Sequence, residues 1–88
     1  MNLQRLNRLN YTMTVELYAN AHKGDFDVWR PSASHLHSEI QHHVNKLQSA
    51  LHDAEKYGGA ENAARVDEYS ADVANFMLKA QQVFGNPI

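Results

Sequence analysis

The sequence predicts an all-α fold, an antiparallel hairpin of two long helices with a shorter N-terminal helix, on three observations. Apolar residues recur every three or four positions through three segments. Ahead of the terminal Gly85-Asn86-Pro87, only residues 23–31 and 57–60 gather the glycine and proline that interrupt helices. No segment alternates β-branched and polar residues in the manner of a strand. In the first segment Leu3, Leu6, Leu9, Met13, Leu17 and Ala21 make the stripe, which Asn10-Tyr11-Thr12 interrupts. The spacing predicts a helix over about residues 12–22, preceded by a separate turn of helix. The second helix, about 33–56, opens after Pro31, where Ser32 or Ser34 can accept from a free amide at the helix start. Leu36, Ile40, Val44, Leu47, Leu51 and Ala54 form its apolar row. The third, about 61–84, carries Val66, Tyr69, Val73, Phe76, Ala80 and Val83, and Gly85-Asn86-Pro87 stops it. Met13, Phe76 and Met77 are read as core fillers.

Residues 1–88 are expected to form one domain, because a chain of 10.0 kDa buries too little surface for two cores. The bundle is expected to be completed by oligomerisation, with Leu6, Leu9 and Val66 left over as apolar groups for a partner copy. The absence of cysteine removes disulfides, zinc ribbons, iron–sulfur clusters and thiol nucleophiles, so any metal must be held by oxygen and imidazole. Eight basic and ten acidic side chains leave a charge of -2 with no basic cluster, which argues against nucleic acid as a partner. No stretch nears the length of a membrane span, and Met1-Asn2-Leu3-Gln4-Arg5 lacks the apolar core of a signal peptide, so no membrane is expected and the cytoplasm is the expected location. Serines fall at caps and surface positions, and Gly58-Gly59 lacks the strand, lysine and hydroxyl of a phosphate loop.

The six histidines focus attention on the polar flanks of the two stripes. On a helical wheel Glu39 and His43 lie about 40° apart and one turn removed, so they converge beside the apolar row. Glu68 and Asp72 repeat that spacing on the third helix, continued by Asn75 and Lys79. His43 stands about 15 positions before the Gly58-Gly59 link and Asp72 about 13 after it, so antiparallel packing brings the two pairs to similar heights. Two acids one turn apart repel, and a cation reverses the sign. Glu39, His43, Glu68 and Asp72 therefore form a candidate divalent-metal set, suited to magnesium or manganese. A solvated edge of the bundle is the competing reading of the same four residues. His42 rivals His43 as a ligand, while His35 and His37 are expected at the surface. His52-Asp53 matches the two-letter signature of HD phosphohydrolases. The loop His22-Lys23-Gly24-Asp25-Phe26 with Trp29 combines cations and aromatics suited to an anionic planar ligand, or else caps a small core.

Taken together, Met13, Leu17, the run Asn20-Ala21-His22-Lys23-Gly24-Asp25-Phe26, Trp29, the acid at Glu39, and Glu68-Tyr69-Ser70-Ala71-Asp72-Val73-Ala74-Asn75-Phe76-Met77 resemble the MazG-like all-α nucleoside triphosphate pyrophosphohydrolases, particularly their short phage and prophage forms. The resemblance spans about residues 11–84. It implies a helical dimer or tetramer that uses magnesium to cleave a nucleotide between its α and β phosphates. Under it Glu39, Glu68 and Asp72 are catalytic and, with His43, hold Mg2+ or Mn2+. Lys23 and Lys79 contact phosphate oxygens, Asn75 donates or accepts a ligand hydrogen bond, and Trp29 or Phe26 stacks on a base. The chain departs from the family pattern in two places: His42 and His43 stand where acids are usual, and Tyr69 occupies the position three before Asp72, with Glu68 one residue further away. Fewer carboxylates favour manganese over magnesium. The expected function is thus divalent-metal-dependent cleavage of a (d)NTP to a (d)NMP and pyrophosphate, the alternative being a non-catalytic helical module that binds nucleotide or metal, or simply oligomerises.

Overall fold

The computed structural model describes residues 2–87 with the exception of the His22 side chain, so the part of the loop reading that concerned His22 lies outside the described residues. Three helices follow one another, α1 (Leu3–Ala19), α2 (Ala33–Tyr57) and α3 (Ala60–Phe84), with a 3-10 turn at Ala21–Lys23. No strand occurs among the described residues.

α1 starts well before residue 12 and ends before 22, which corrects the expected boundaries. The side chain of Asn2 accepts the Arg5 amide at 3.1 Å and caps the helix at its true start. Asn10-Tyr11-Thr12 does not break it, because the Thr12 and Thr14 hydroxyls donate to the carbonyls of Arg8 and Asn10 at 2.9 and 3.0 Å. Those hydroxyls are satisfied within the helix and offer the backbone no competing turn. At the other end the Asn20 amide side chain and backbone N–H both reach the Glu16 carbonyl, at 2.8 and 3.1 Å, and the chain tightens into the 3-10 turn.

α2 begins at the Ser32 cap, whose hydroxyl accepts the His35 amide at 3.1 Å. Its C-terminus is closed by Gly58, whose amide reaches the Ala54 carbonyl at 3.0 Å. Gly58 and Gly59 have φ of 65° and 88° with nearly extended ψ, a region essentially reserved for glycine. Open space surrounds both positions, so backbone conformation alone requires glycine there. We expect Gly58→Ala to cost about 1–3 kcal/mol by urea denaturation through this strain, with no change in helix content by circular dichroism.

The short link turns α3 back along α2. Pairing of Lys46 with Tyr69 and of His43 with Asp72 shows the antiparallel register, since contacts nearer the link on one helix meet contacts nearer it on the other. Ala50 and Ala71 are buried along the hairpin, and Leu36 is buried toward the end away from the link. α1 rests on α3 and makes no backbone approach to α2 among the described residues. None of its residues is buried. Leu51 and Met77, expected inside, are 52 % and 46 % exposed, and Tyr11, Tyr18 and Phe84 also face outward. The hairpin is a two-helix layer, so only one side of each stripe finds cover.

Candidate functional site

Where the 3-10 turn and the following loop fold against the far end of the hairpin, α1, α2 and α3 enclose an open cavity of about 710 Å³. Glu16 and Leu17 line it from α1 and Asn20 from its C-terminal cap, Lys23, Phe26 and Trp29 from the turn and loop, His35, Glu39, His43 and Lys46 from α2, and Glu68, Asp72, Asn75 and Phe76 from α3. One part is acidic. Glu16, Glu68 and Asp72 each bring a carboxylate oxygen within 4.8 Å of the other two. The helical repeat brings Glu68 and Asp72 together, while Glu16 arrives from another helix and was not anticipated from the sequence. Its one visible signal was that it is the sole acid of α1.

Glu39 and His43 do not join Glu68 and Asp72 in a single ligand group, contrary to the expected set. Glu39 is held in a row along α2, 3.5 Å from Nε2 of His35 and 3.9 Å from Nε2 of His43. His43 then turns its Nδ1 to within 3.9 Å of Asp72. The imidazole therefore stands between Glu39 and the acids. His42 is exposed and lies outside the cavity, with its ring edge-on to His43.

Burial raises the Asp72 pKa above its ordinary 3.8, Glu68 pushes it further, and His43, Lys46 and Lys23 oppose the rise. Glu16 is raised above 4.5 for the same leading reason, with Asp72 and Glu68 adding repulsion and Lys46 opposing it. His43 is lowered below 6.5, chiefly by burial and against the pull of Asp72. The signs give opposed pH effects in the metal-free protein. Raised carboxylates bind more protons folded than unfolded, so their contribution to stability falls as pH rises from about 4 through the raised values. His43 binds fewer protons folded, so its contribution falls as pH drops below 6.5. We expect Glu16→Gln to raise the metal-free melting temperature at pH 7 and to lose that advantage in acid, where Glu16 itself is neutral; thermal unfolding from pH 3.5 to 7.5 measures both.

The other part of the cavity is aromatic. The His43 ring stacks on Phe76 at 4.7 Å and 29°, and Phe26 and Trp29 meet Phe76 edge-on, both at 6.1 Å. Phe26 and Trp29 are themselves 5.7 Å apart, and Trp29 meets His35 at the same distance. The loop is held by Lys79, which is 0 % exposed. Its ammonium donates to the carbonyls of Phe26 and Asp27 and to Oε1 of Gln82, and Gln82 Nε2 also reaches the Asp27 carbonyl at 3.3 Å. Lys79 therefore does not reach the cavity, which corrects its expected contact with phosphate: the loop carbonyls occupy the charge. Burial lowers its pKa, and Arg30 adds to the shift. Lys23 is exposed at the cavity edge. Asn75 is 4 % exposed, donates from Nδ2 to the Met13 carbonyl at 3.1 Å, and has no partner for Oδ1.

His52 and Asp53 lie 3.5 Å apart on an exposed part of α2, outside this cavity. Among the described residues no further histidine or carboxylate joins them to make a group of three. No family model, curated protein or solved structure matches the chain. No helix among the described residues is long and apolar enough to cross a membrane.

Proposed function

We propose that this chain is a divalent-cation-dependent nucleotide pyrophosphohydrolase that cleaves a (d)NTP to a (d)NMP and pyrophosphate. The observation that carries the reading is one cavity with carboxylates on one part and a cluster of aromatic side chains on the other. A triphosphate needs a cation at its charged end, and a base needs a flat apolar surface at the other. The donor chemistry fits the metal: three carboxylates lie within 4.8 Å, and burial with mutual repulsion raises Glu16 and Asp72, a cost that a bound cation reverses. Oxygen ligands suit Mg2+ or Mn2+. Glu68 and Asp72 would hold the ion. When bound, it would neutralise phosphate charge and lower the pKa of a coordinated water.

The remaining roles belong to the chain. Lys23, exposed at the rim, meets phosphate oxygens. Trp29 or Phe26 stacks on the base, and the Lys79 anchor holds the loop that carries them. Asn75 has an amide oxygen free for a ligand donor. His43, kept neutral by burial, and Glu39 beside it stand ready to take a proton from attacking water. We assign the activity to the cytoplasm as part of the same proposal. The exposed Leu6, Tyr11 and Tyr18 of α1 and Leu78 and Phe84 of α3 are the surfaces we assign to a second copy, and light scattering at micromolar concentration should return at least a dimer mass.

One observation favours the alternative of a binding module without turnover: Glu39, the only α2 carboxylate lining the cavity, stands outside the acidic group. Pyrophosphate release, measured across common NTPs and dNTPs with Mg2+ and with Mn2+, decides between them. Turnover abolished by Asp72→Ala supports the enzyme. No release above that variant, together with a nucleotide-induced rise in melting temperature, establishes the module instead.

A further inference from the structure

We propose that the cation site is assembled between α1 and α3, with Glu16 as the third carboxylate in the role the sequence assigned to Glu39, so that binding the ion fastens α1 to the hairpin. The inference rests on the metal-dependent reading and goes beyond it in naming which helix completes the site. Geometry is the first ground: an oxygen of Glu16 lies within 4.8 Å of oxygens of both Glu68 and Asp72, whereas Glu39 is spaced along α2 between His35 and His43.

The way α1 is held is the second. No α1 residue is buried, and among the described residues the helix meets α3 and the adjoining 3-10 turn but not α2. Its charged tie is an exposed pair, Arg8 to Asp67 at 3.4 Å, of a kind that contributes little. Against so loose a docking, facing a third carboxylate toward two others works to push α1 away. Lys46 is the one cation that offsets both Glu16 and Asp72. A divalent ion converts the same repulsion into a tie between the helices.

Asn75 supplies an independent indication of a ligand. It is 4 % exposed and lines the same cavity one turn beyond Asp72. Its Nδ2 is held by the carbonyl of Met13, one turn before Glu16, so the amide is fixed in the α1–α3 seam. Its buried Oδ1 has no hydrogen-bond partner. A buried amide oxygen left unpaired is unfavourable, and a water carried by an ion at the neighbouring carboxylates would satisfy it. The donors on this seam are then all oxygen, the preference of Mg2+ and Mn2+.

The experiment titrates Mn2+ alone, without nucleotide, into ion-stripped wild type, Glu16→Gln, Glu39→Gln and Asp72→Asn, reading affinity by calorimetry and α1 protection by amide hydrogen exchange. Circular dichroism verifies that each variant is folded. Wild type should bind Mn2+ and slow exchange through the second half of α1. Glu16→Gln, which removes the charge while keeping the shape, should weaken binding by about tenfold or more, the loss that follows when even a residue supporting the ligands is changed, and should abolish the added protection. Glu39→Gln should stay within about threefold of wild type, under the tenfold scale of a lost contact. If Asp72→Asn abolishes binding but Glu16→Gln does not weaken it, or if Glu39→Gln weakens it more, the α1–α3 site is wrong while the metal-dependent reading stands. If wild type fails to bind Mn2+ at millimolar concentration, the metal-dependent reading falls and this site with it.

Discussion

Asp72→Ala is expected to reduce pyrophosphate release by about a thousandfold, because a metal site supplies several kcal/mol of charge stabilisation and about 4 kcal/mol corresponds to that factor. The loss should not come from unfolding. Asp72 lies mid-helix, where alanine is the best helix former. Its carboxylate is raised by burial and by Glu68, so removing it relieves the metal-free fold of an unfavourable charge. The metal-free melting temperature should therefore hold or rise while the stabilisation by Mn2+ disappears, and a binding site occupied at a hundred times its dissociation constant contributes about 2.7 kcal/mol. Turnover with thermal shift, both measured with and without Mn2+, reads the two effects separately. Activity retained by Asp72→Ala would remove it from the proposed mechanism.

Lys79→Met is expected to lower stability by about 2–3 kcal/mol. Methionine keeps most of the aliphatic stem and its volume, so the variant isolates the ammonium. Exchanging a buried ion pair for a hydrophobe is often harmless because both charges leave together. Here the partners are the carbonyls of Phe26 and Asp27 and the Gln82 side chain, which remain in place. Stranding a buried acceptor costs about 1–3 kcal/mol, and Gln82 still donates to the Asp27 carbonyl, which limits the total. The loop should loosen locally, which moves Trp29 off Phe76 and reddens its emission. Urea denaturation with tryptophan fluorescence measures both, and an unchanged Trp29 spectrum would show that Lys79 does not set the loop. As Lys79 lies outside the cavity, the proposed activity should show a raised KM from the displaced aromatic wall rather than loss of the metal response.

Much of the fold was legible in the sequence. α2 and α3 begin and end within one residue of their expected limits, because a serine cap, a glycine pair and unbroken three-and-four spacing are local signals. α1 was shortened in prospect because Asn10-Tyr11-Thr12 looks like an interruption; the threonine hydroxyls bond back into the helix, which composition does not reveal. In the site, the wheel brought Glu68 to Asp72 and set His43 against Asp72 across the hairpin, since one depends on the helical repeat and the other on a link too short to permit any neighbour but an antiparallel one. It also aligned Lys79 with Asn75 and Asp72, and there the inference failed.

What the sequence determined by itself was the helical state, the hairpin and the existence of a polar seam along it, all consequences of periodicity and of glycine backbone freedom acting over a few residues. Only the tertiary structure decided which polar groups share that seam. The path of the loop over α3 turned Lys79 inward to its carbonyls, and the packing of α1 on α3 carried Glu16 to Glu68 and Asp72. Both outcomes join residues more than fifty positions apart, and the orientation of α1 on α3 is set by side-chain packing and electrostatics across the interface, which no local repeat encodes.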